Sequence, residues 1–488
     1  MNHYRRHLPL LGNLLFLFLL PGIFAWGGFL DAAPKRPNVL FIMADDLRSE
    51  LGCMGAAHVK SPYLDALAKR GRLFTRAYCQ QAVCNPSRAS MMTGLRPDTM
   101  RIWDLPTHLR EQKPEVVTLP QHFKNHGYFT QGIGKLFHNW RQEIQGDPSS
   151  WSVPQVMHYA THGSDTPQVK GKMPPGLMKN PKCEKRDVPD EAYFDGRIAA
   201  LAIKALGELK RKKEPFFLGV GFWKPHAPFN APKKYWDLYA PSKIPTLKNP
   251  KRPVNAPDIA FHDAREILRA FKGKQLTSKQ VRELRHGYYA ATSYMDAQIG
   301  KVLAELDRLG LGDSTIITFA SDHGFHLGEH ALWAKTSCFE WDAGVPMIIS
   351  VPNMQQKGNS TAALAELLDL YPTLAELADL PRPEHLEGQS LVPVLRDPAA
   401  TVKSTAFTQH PRPAYYKGTP EVMGYSMRTA VARYTEWRDW KTGKLVGREL
   451  YDHVRDPGEN INIAAGHSDL VKQMAKDMAK QFPAQRHP

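Results

Sequence analysis

Asn38-Val-Leu-Phe-Ile-Met43 is an unbroken apolar run that ends in Ala44-Asp45-Asp46. A strand with one wet face alternates apolar and polar residues. A run without alternation is buried on both faces, as in a parallel sheet. The pattern recurs in Phe216-Phe-Leu-Gly-Val-Gly-Phe222 before Lys224-Pro-His226, and in Thr315-Ile-Ile-Thr-Phe-Ala320 before Ser321-Asp-His-Gly324. A fourth run, Met347-Ile-Ile-Ser-Val351, leads into Pro352. Helical patterns lie between them. Ser61-Pro62 opens one that Gly71 ends, and residues 288–309 form a long amphipathic one ended by Gly310. This alternation predicts an α/β fold with a large, mostly parallel sheet flanked by helices. Ligand groups in such sheets sit just past the carboxyl ends of the strands.

The composition changes between Pro381 and Pro398. Beyond it come short patterns with turns over residues 425–434, 436–446 and 449–452, then a helix over 468–481. They predict a smaller antiparallel-sheet subdomain over 396–488, after a catalytic domain over 34–395. Residues 142–187 and 241–257 are polar and aperiodic, and loops of that length carry binding surfaces or lids. The leader reads as an export signal over residues 1–33: Arg5 and Arg6, an apolar stretch, then small residues at Ala25, Ala32 and Ala33. A retained anchor is the alternative, since the stretch approaches spanning length. Export places the protein in a periplasmic, extracellular or lysosomal compartment, without stable membrane association once the signal is cleaved. Five cysteines cannot all pair, and their spacing defines no metal cluster; one or two disulfides are compatible with it. The formal charge of +16 favours polyanionic partners. No nucleic-acid motif accompanies it, which points to an acidic polysaccharide.

Adjacent carboxylates at a strand end repel unless a cation offsets them. Asp45-Asp46 follows one buried-strand pattern and Asp322-His323 follows another. Their oxygens are hard ligands suited to Ca²⁺ or Mg²⁺, and calcium is the expected ion of an exported protein.

Cys84-Asn-Pro-Ser-Arg88, continued by Thr93-Gly94, resembles the motif that type I sulfatases present for conversion of cysteine to formylglycine. The chain as a whole resembles the sulfatase branch of the alkaline-phosphatase-like superfamily. The resemblance runs through Gly134-Lys135-Leu-Phe-His138, Lys224-Pro-His226, Ser321-Asp-His-Gly324, Leu327-Gly-Glu-His330, Leu370-Tyr-Pro-Thr-Leu374, Leu386-Glu-Gly-Gln-Ser-Leu391 and Glu449-Leu-Tyr-Asp452. Many sulfatases have Asp-Asn where this chain has Asp322-His323. The Asp-His form is similar to the iduronate-2-sulfatase group, as are Gln80-Gln-Ala-Val-Cys84, Arg96-Pro-Asp-Thr99, Trp333-Ala-Lys335, His410-Pro-Arg-Pro413 and Met423-Gly-Tyr-Ser426.

The resemblance implies one calcium ion on Asp45, Asp46, Asp322, His323 and the modified Cys84. Hydrated formylglycine at position 84 is the implied nucleophile, made by a formylglycine-generating enzyme. Arg88 and Lys135 would hold its oxygens, and His138 would be the base that releases sulfate. His226 and Lys335 would meet the sulfate and the leaving oxygen, one of them supplying the proton. Lys224 and His330 are weaker candidates for the same site. For a uronate carboxylate, Arg101 and Arg412 are the candidate partners, with Trp103 or Trp333 as a wall for the sugar ring. The expected reaction is hydrolysis of a sulfate ester on a uronate-containing polysaccharide or oligosaccharide, with the 2-O-sulfate of iduronate as the leading substrate. Another sulfated polysaccharide, a phosphonate or phosphate monoester, and a non-catalytic sulfated-glycan binder are the alternatives.

Overall fold

The structure, a computed structural model, describes residues 36–138, 146–158, 183–415 and 418–483. The leader over 1–33 and most of the loop expected over 142–187 lie outside the described residues. The central sheet is built on β1 (Asn38–Asp45), β2 (Arg72–Tyr78), β3 (Phe129–Gly134), β4 (Phe216–Pro225), β5 (Thr315–Ser321) and β6 (Gly344–Ser350). Its order is β2-β6-β5-β1-β4-β3, and Ser360–Thr361 and Ala365–Glu366 pair with β2 at the edge. Strands β1, β3, β4 and β5 are mutually parallel, while β6 is antiparallel to both β5 and β2. The sheet is mostly parallel, as expected, and the run before Pro352 ends at the end of the sheet away from Asp45-Asp46.

Both faces of β1 are covered, which is why its sequence does not alternate. Leu40, Ile42 and Ala44 face a core shared with α1 (Pro62–Arg70), α3 (Phe194–Leu209) and α4 (Ser278–Arg308). Val39, Phe41 and Met43 face a second core shared with α2 (Cys84–Thr93) and α5 (Leu370–Leu377). Each fully buried side chain of this size contributes about 1.5–3 kcal/mol relative to exposure. The long helix starts ten residues earlier than its amphipathic stretch, at a capping box in which Thr277 and Gln280 satisfy each other's backbone N–H groups.

The C-terminal sheet is antiparallel: β7 (Ala406–Arg412), β8 (Val422–Arg428), β9 (Ala432–Asp439) and β10 (Leu445–Asp452), in that order. The stretch over 425–434 is therefore two strands, split by a turn at Thr429, and β7 is a strand the sequence reading left out. Helix α6 (Ser468–Gln481) buries Val471, Met474 and Met478 against this sheet. The N–H of Gln409 donates to the Gln80 carbonyl at 2.8 Å, tying β7 to the approach to α2. All five cysteines are unpaired. No helix among the described residues is long and apolar enough to cross a membrane.

Candidate active site

Register brings the two acidic clusters together. Met43 pairs with Ala320 and Ala44 with Ser321, so Asp45-Asp46 and Asp322-His323 leave adjacent strands side by side. Asp46 turns the chain at φ 65°, a left-handed conformation unusual for a residue with a Cβ. Three bonds hold that turn. The Asp46 N–H donates to Asp322 Oδ1 at 3.1 Å, and the Leu47 N–H donates to Ser321 Oγ at 2.9 Å. Tyr288 of α4 donates its hydroxyl to the Asp46 carbonyl at 2.7 Å.

Cys84 is the first residue of α2. Pro86 is tolerated two residues on because first-turn N–H groups have no partner within the helix. Gly94 at φ 70° closes the helix, its N–H donating to the Ser90 carbonyl. Every residue of α2 is buried. The Cys84 thiol donates to Asp45 Oδ1 at 3.5 Å and lies 3.4 Å from His323 Nε2. Nδ1 of His323 faces the Gly324 carbonyl at 2.9 Å and donates to it, which turns Nε2 into the cluster. Burial, with Asp45 beside it, pushes the Cys84 thiol well above its ordinary pKa. The unmodified side chain is thus a neutral thiol and a poor nucleophile.

Arg88 knits the cluster. Its Nε donates to Asp322 Oδ2 at 2.8 Å, and its Nη2 to Asp45 Oδ1 at 3.3 Å and to the Ala44 carbonyl at 3.1 Å. Its Nη1 reaches the Lys135 carbonyl at 2.5 Å. Lys135 donates to Asp45 Oδ2 at 2.5 Å. Burial opposes charge on Asp45, yet Lys135, with His226 and Arg88, holds its carboxyl well below the usual range. Asp46 goes the other way. Burial, together with Asp45 and Asp322, raises it despite the Lys335 ammonium at 2.9 and 3.0 Å. The protein's own cations leave Asp46 under-compensated.

Two glycines bring Lys135 to this place. Its N–H donates to the Gly221 carbonyl at 2.8 Å. A Cβ on Gly221 would lie 1.9 Å from the Lys135 carbonyl oxygen, and one on Gly134, at φ 78°, would lie 2.0 Å from the Gly221 carbonyl oxygen. Those obstacles are backbone and cannot rotate away. Gly221→Ala should therefore cost about 1–3 kcal/mol of stability and displace Lys135, lowering the denaturation midpoint and turnover together. Unchanged melting and activity would mean this strand approach is wrong.

The remaining candidates sort by what they touch. His226 Nε2 lies 3.8 Å from Asp46 Oδ2, at the edge of the cluster. Burial, with the Lys135 cation nearby, holds the His138 imidazole well below its ordinary pKa, so it is neutral. Lys224 is spent on the carbonyls of His226 and Pro228, at 2.8 and 2.7 Å, and burial brings its pKa down to about 8. It holds the loop that carries His226. His330 lies 2.8 Å from the Gly458 carbonyl and 3.4 Å from His326, so it braces the C-terminal region. Arg412 is buried against carbonyls: Nε on Ile259 at 2.9 Å, Nη1 on Thr336 at 3.1 Å, Nη2 on Ala260 at 2.7 Å. So engaged, Arg412 clamps these backbone segments together. Trp333 is buried and lines an apolar cavity with Leu247 and Gly328. Arg101 and Trp103 line another cavity of about 600 Å³, which no residue of the acidic cluster lines.

The sequence reading missed three residues. Asp195 of α3 accepts the N–H groups of Trp223 and Lys224 at 2.8 and 3.0 Å, fixing the entry to the His226 loop. Glu266 accepts from Lys335 at 3.0 Å, and Tyr415 donates to Glu266 at 3.1 Å. Neither carboxylate follows a buried-strand pattern, the one signal that singled out acidic residues.

Donor atoms of Asp45, Asp46, Cys84 and His323 all lie within 4.8 Å of one another, and all four residues are buried. Asp322 adjoins them through its bonds to Asp46 and Arg88. Hard oxygens, one imidazole nitrogen and an under-compensated Asp46 fit a hard divalent cation.

The sulfatase family model matches residues 37–380, and a model of the N-sulphoglucosamine sulphohydrolase C-terminal region matches 328–486. The chain is 35% identical over 510 residues to the iduronate 2-sulfatase of Mus musculus, covering 89% of this chain and 92% of that protein. It is 34% identical over 501 residues to the Homo sapiens iduronate 2-sulfatase, covering 87% and 90%. The phosphonate monoester hydrolase of Silicibacter pomeroyi superposes with a TM-score of 0.73 at 23% identity, covering 93% of this chain and 96% of that one. At that identity the likeness shows the fold alone.

Proposed function

The chain belongs to the sulfatase family, and from that premise we propose that it hydrolyses sulfate esters on a uronate-containing glycan, with the 2-O-sulfate of iduronate as its substrate. Sulfuric ester hydrolysis is the family's reaction. One observation carries the assignment to these residues: Cys84, both acidic clusters, Arg88, Lys135 and Lys335 converge in one buried constellation. Similarity to the two iduronate 2-sulfatases supports the choice of sugar.

Formylglycine made from Cys84 would supply the nucleophile, and calcium held by Asp45, Asp46, Asp322, His323 and residue 84 would supply charge stabilisation for the sulfate. The chain's own residues do the rest. Arg88 and Lys135 orient the carboxylates and the residue-84 side chain. Neutral His138 takes the proton whose loss lets sulfate depart. Lys335 and His226 face the sulfate from the open side, where the leaving oxygen needs a proton. Burial of the whole cluster keeps these interactions out of bulk water, where they would be far weaker. We further propose that the protein is exported, where calcium is plentiful.

The test is a panel of defined sulfated disaccharides, with an aryl sulfate and a phosphonate monoester as comparators. A 2-O-sulfated iduronate disaccharide should exceed the other sulfated sugars in kcat/KM by at least about 100-fold. A faster phosphonate reaction would move the assignment to the other chemistry known on this fold. Preference for a sulfated sugar without a uronate would keep the family and replace the substrate.

A further inference from the structure

Glu266 is a carboxylate on the open side of a site otherwise sealed. Its side chain is 19% exposed and that of His226 27%, whereas Asp46 is 0% and Lys335 3% exposed. A sulfate ester therefore reaches Lys335 past these two residues. The chain spends backbone strain to arrange the meeting. Ala264, just before the helical turn Arg265–Leu268 that carries Glu266, has φ 50°. Ala334 and Thr336, on either side of Lys335, have φ 71° and 87°. Three left-handed residues with a Cβ around one contact are expensive, and such strain concentrates where a side chain must be aimed.

The aim is visible in the bonds. Lys335 has three N–H groups. Asp46 takes its hydrogen bonds from one side at 2.9 and 3.0 Å, and Glu266 takes one from the other at 3.0 Å. These bonds engage all three N–H groups, so the two carboxylates together fix where the ammonium sits and how it is turned. Glu266 is itself fixed, because Tyr415 donates to its second oxygen at 3.1 Å. The same Oε1 that accepts from Lys335 lies 3.8 Å from His226 Nε2. The opposite nitrogen of that ring, Nδ1, is anchored on the Ala227 carbonyl at 2.5 Å. One carboxylate oxygen thus adjoins both the Lys335 ammonium, which can protonate the leaving oxygen, and the Nε2 edge of the His226 ring.

We propose that Glu266, held by Tyr415, is the positioning residue of the leaving-group side. It aligns the Lys335 ammonium, with the His226 ring beside it, so that Lys335 delivers a proton to the departing sugar oxygen. In that step the nucleophile at residue 84 forms its bond to sulfur while the bond from sulfur to the sugar oxygen breaks. The electron pair stays on the sugar oxygen, and the proton from Lys335 makes it an alcohol. This inference rests on the sulfatase reading.

A poor leaving group needs the proton and a good one scarcely does, so the readout is leaving-group dependence. Glu266→Gln keeps the shape and one acceptor while removing the charge. With the fully modified, calcium-loaded enzyme, kcat for a sulfated sugar should fall about 50-fold, while kcat for 4-nitrophenyl sulfate falls no more than about 5-fold. KM should move less than kcat on both, and the melting temperature should stay near wild type. Tyr415→Phe should show the same contrast at smaller size, and it carries the test if Glu266→Gln does not fold. Equal losses on both esters, or none on either, would overturn the positioning role. Failure of the wild-type enzyme to hydrolyse any sulfate ester would instead overturn the reading beneath it.

Discussion

Cys84→Ser should leave a folded protein that retains substrate binding and loses multiple-turnover hydrolysis by at least about 10⁴-fold. The fold should survive because the smaller hydroxyl fits where the thiol now sits, 3.5 Å from Asp45 and 3.4 Å from His323. The chemistry should not. Burial and Asp45 keep the native thiol protonated, so neither cysteine nor serine as such is a competent nucleophile here. What the site lacks is a second hydroxyl on the same carbon. A sulfated serine has no partner oxygen from which His138 could remove a proton to expel sulfate, so the reaction would stop after one transfer. Peptide mass across residues 80–88 of the active native enzyme should show sulfur and hydrogen exchanged for oxygen at position 84. Sustained turnover by the serine variant, or full activity from protein whose Cys84 is unmodified, would end the formylglycine mechanism.

Much of this site was legible because its parts announce themselves locally. The run before Asp45-Asp46 does not alternate because both faces of β1 are buried, and the same holds for β5 before Asp322-His323. Parallel pairing then makes two distant acidic motifs neighbours without further information. Pro86 and Gly94 bracket the nucleophile's helix for reasons of backbone hydrogen bonding alone. Strands with another logic stayed hidden. β3 reads Phe-Thr-Gln-Gly-Ile-Gly, and its glycines, which look like loop punctuation, are there because the Trp151 ring lies over Gly132 and the β4 backbone at Gly221 approaches Gly134 too closely for a Cβ. β2 begins with a buried arginine, Arg72, whose guanidinium donates to the carbonyls of Asn359 and Leu395, 287 and 323 residues further along the chain. Arg412 is held in the same way. An arginine's partners can be backbone carbonyls, which leave no trace in side-chain sequence. Glu266 was invisible because its partners, Lys335, His226 and Tyr415, come from three separate segments.

Chelation should abolish activity, and calcium should restore it while raising the melting temperature. The physical reason is the imbalance between the two adjacent aspartates. Asp45 is charge-matched by Lys135 and Arg88, and its carboxyl is held low. Asp46 faces Asp45, Asp322 and its own burial with Lys335 as its nearest cation, and its carboxyl is held high. A divalent ion among these donors offsets the repulsion in the folded state, whereas the unfolded chain cannot assemble the site. Binding therefore stabilises the fold, by about 2.7 kcal/mol when free calcium is 100 times its Kd. Asp46→Asn should lose both the activity and this increment. The increment, not the absolute melting temperature, is the quantity to compare, because Asp46 also anchors Lys335 and its loss will change the metal-free protein. Magnesium, which demands near-octahedral geometry and gives up its waters reluctantly, should restore less than calcium. Zinc should do poorly in a site whose only soft donor is consumed by modification. Identical melting in calcium and in chelator, with activity intact, would show that the lysines and Arg88 suffice to hold the carboxylates and that no cation takes part.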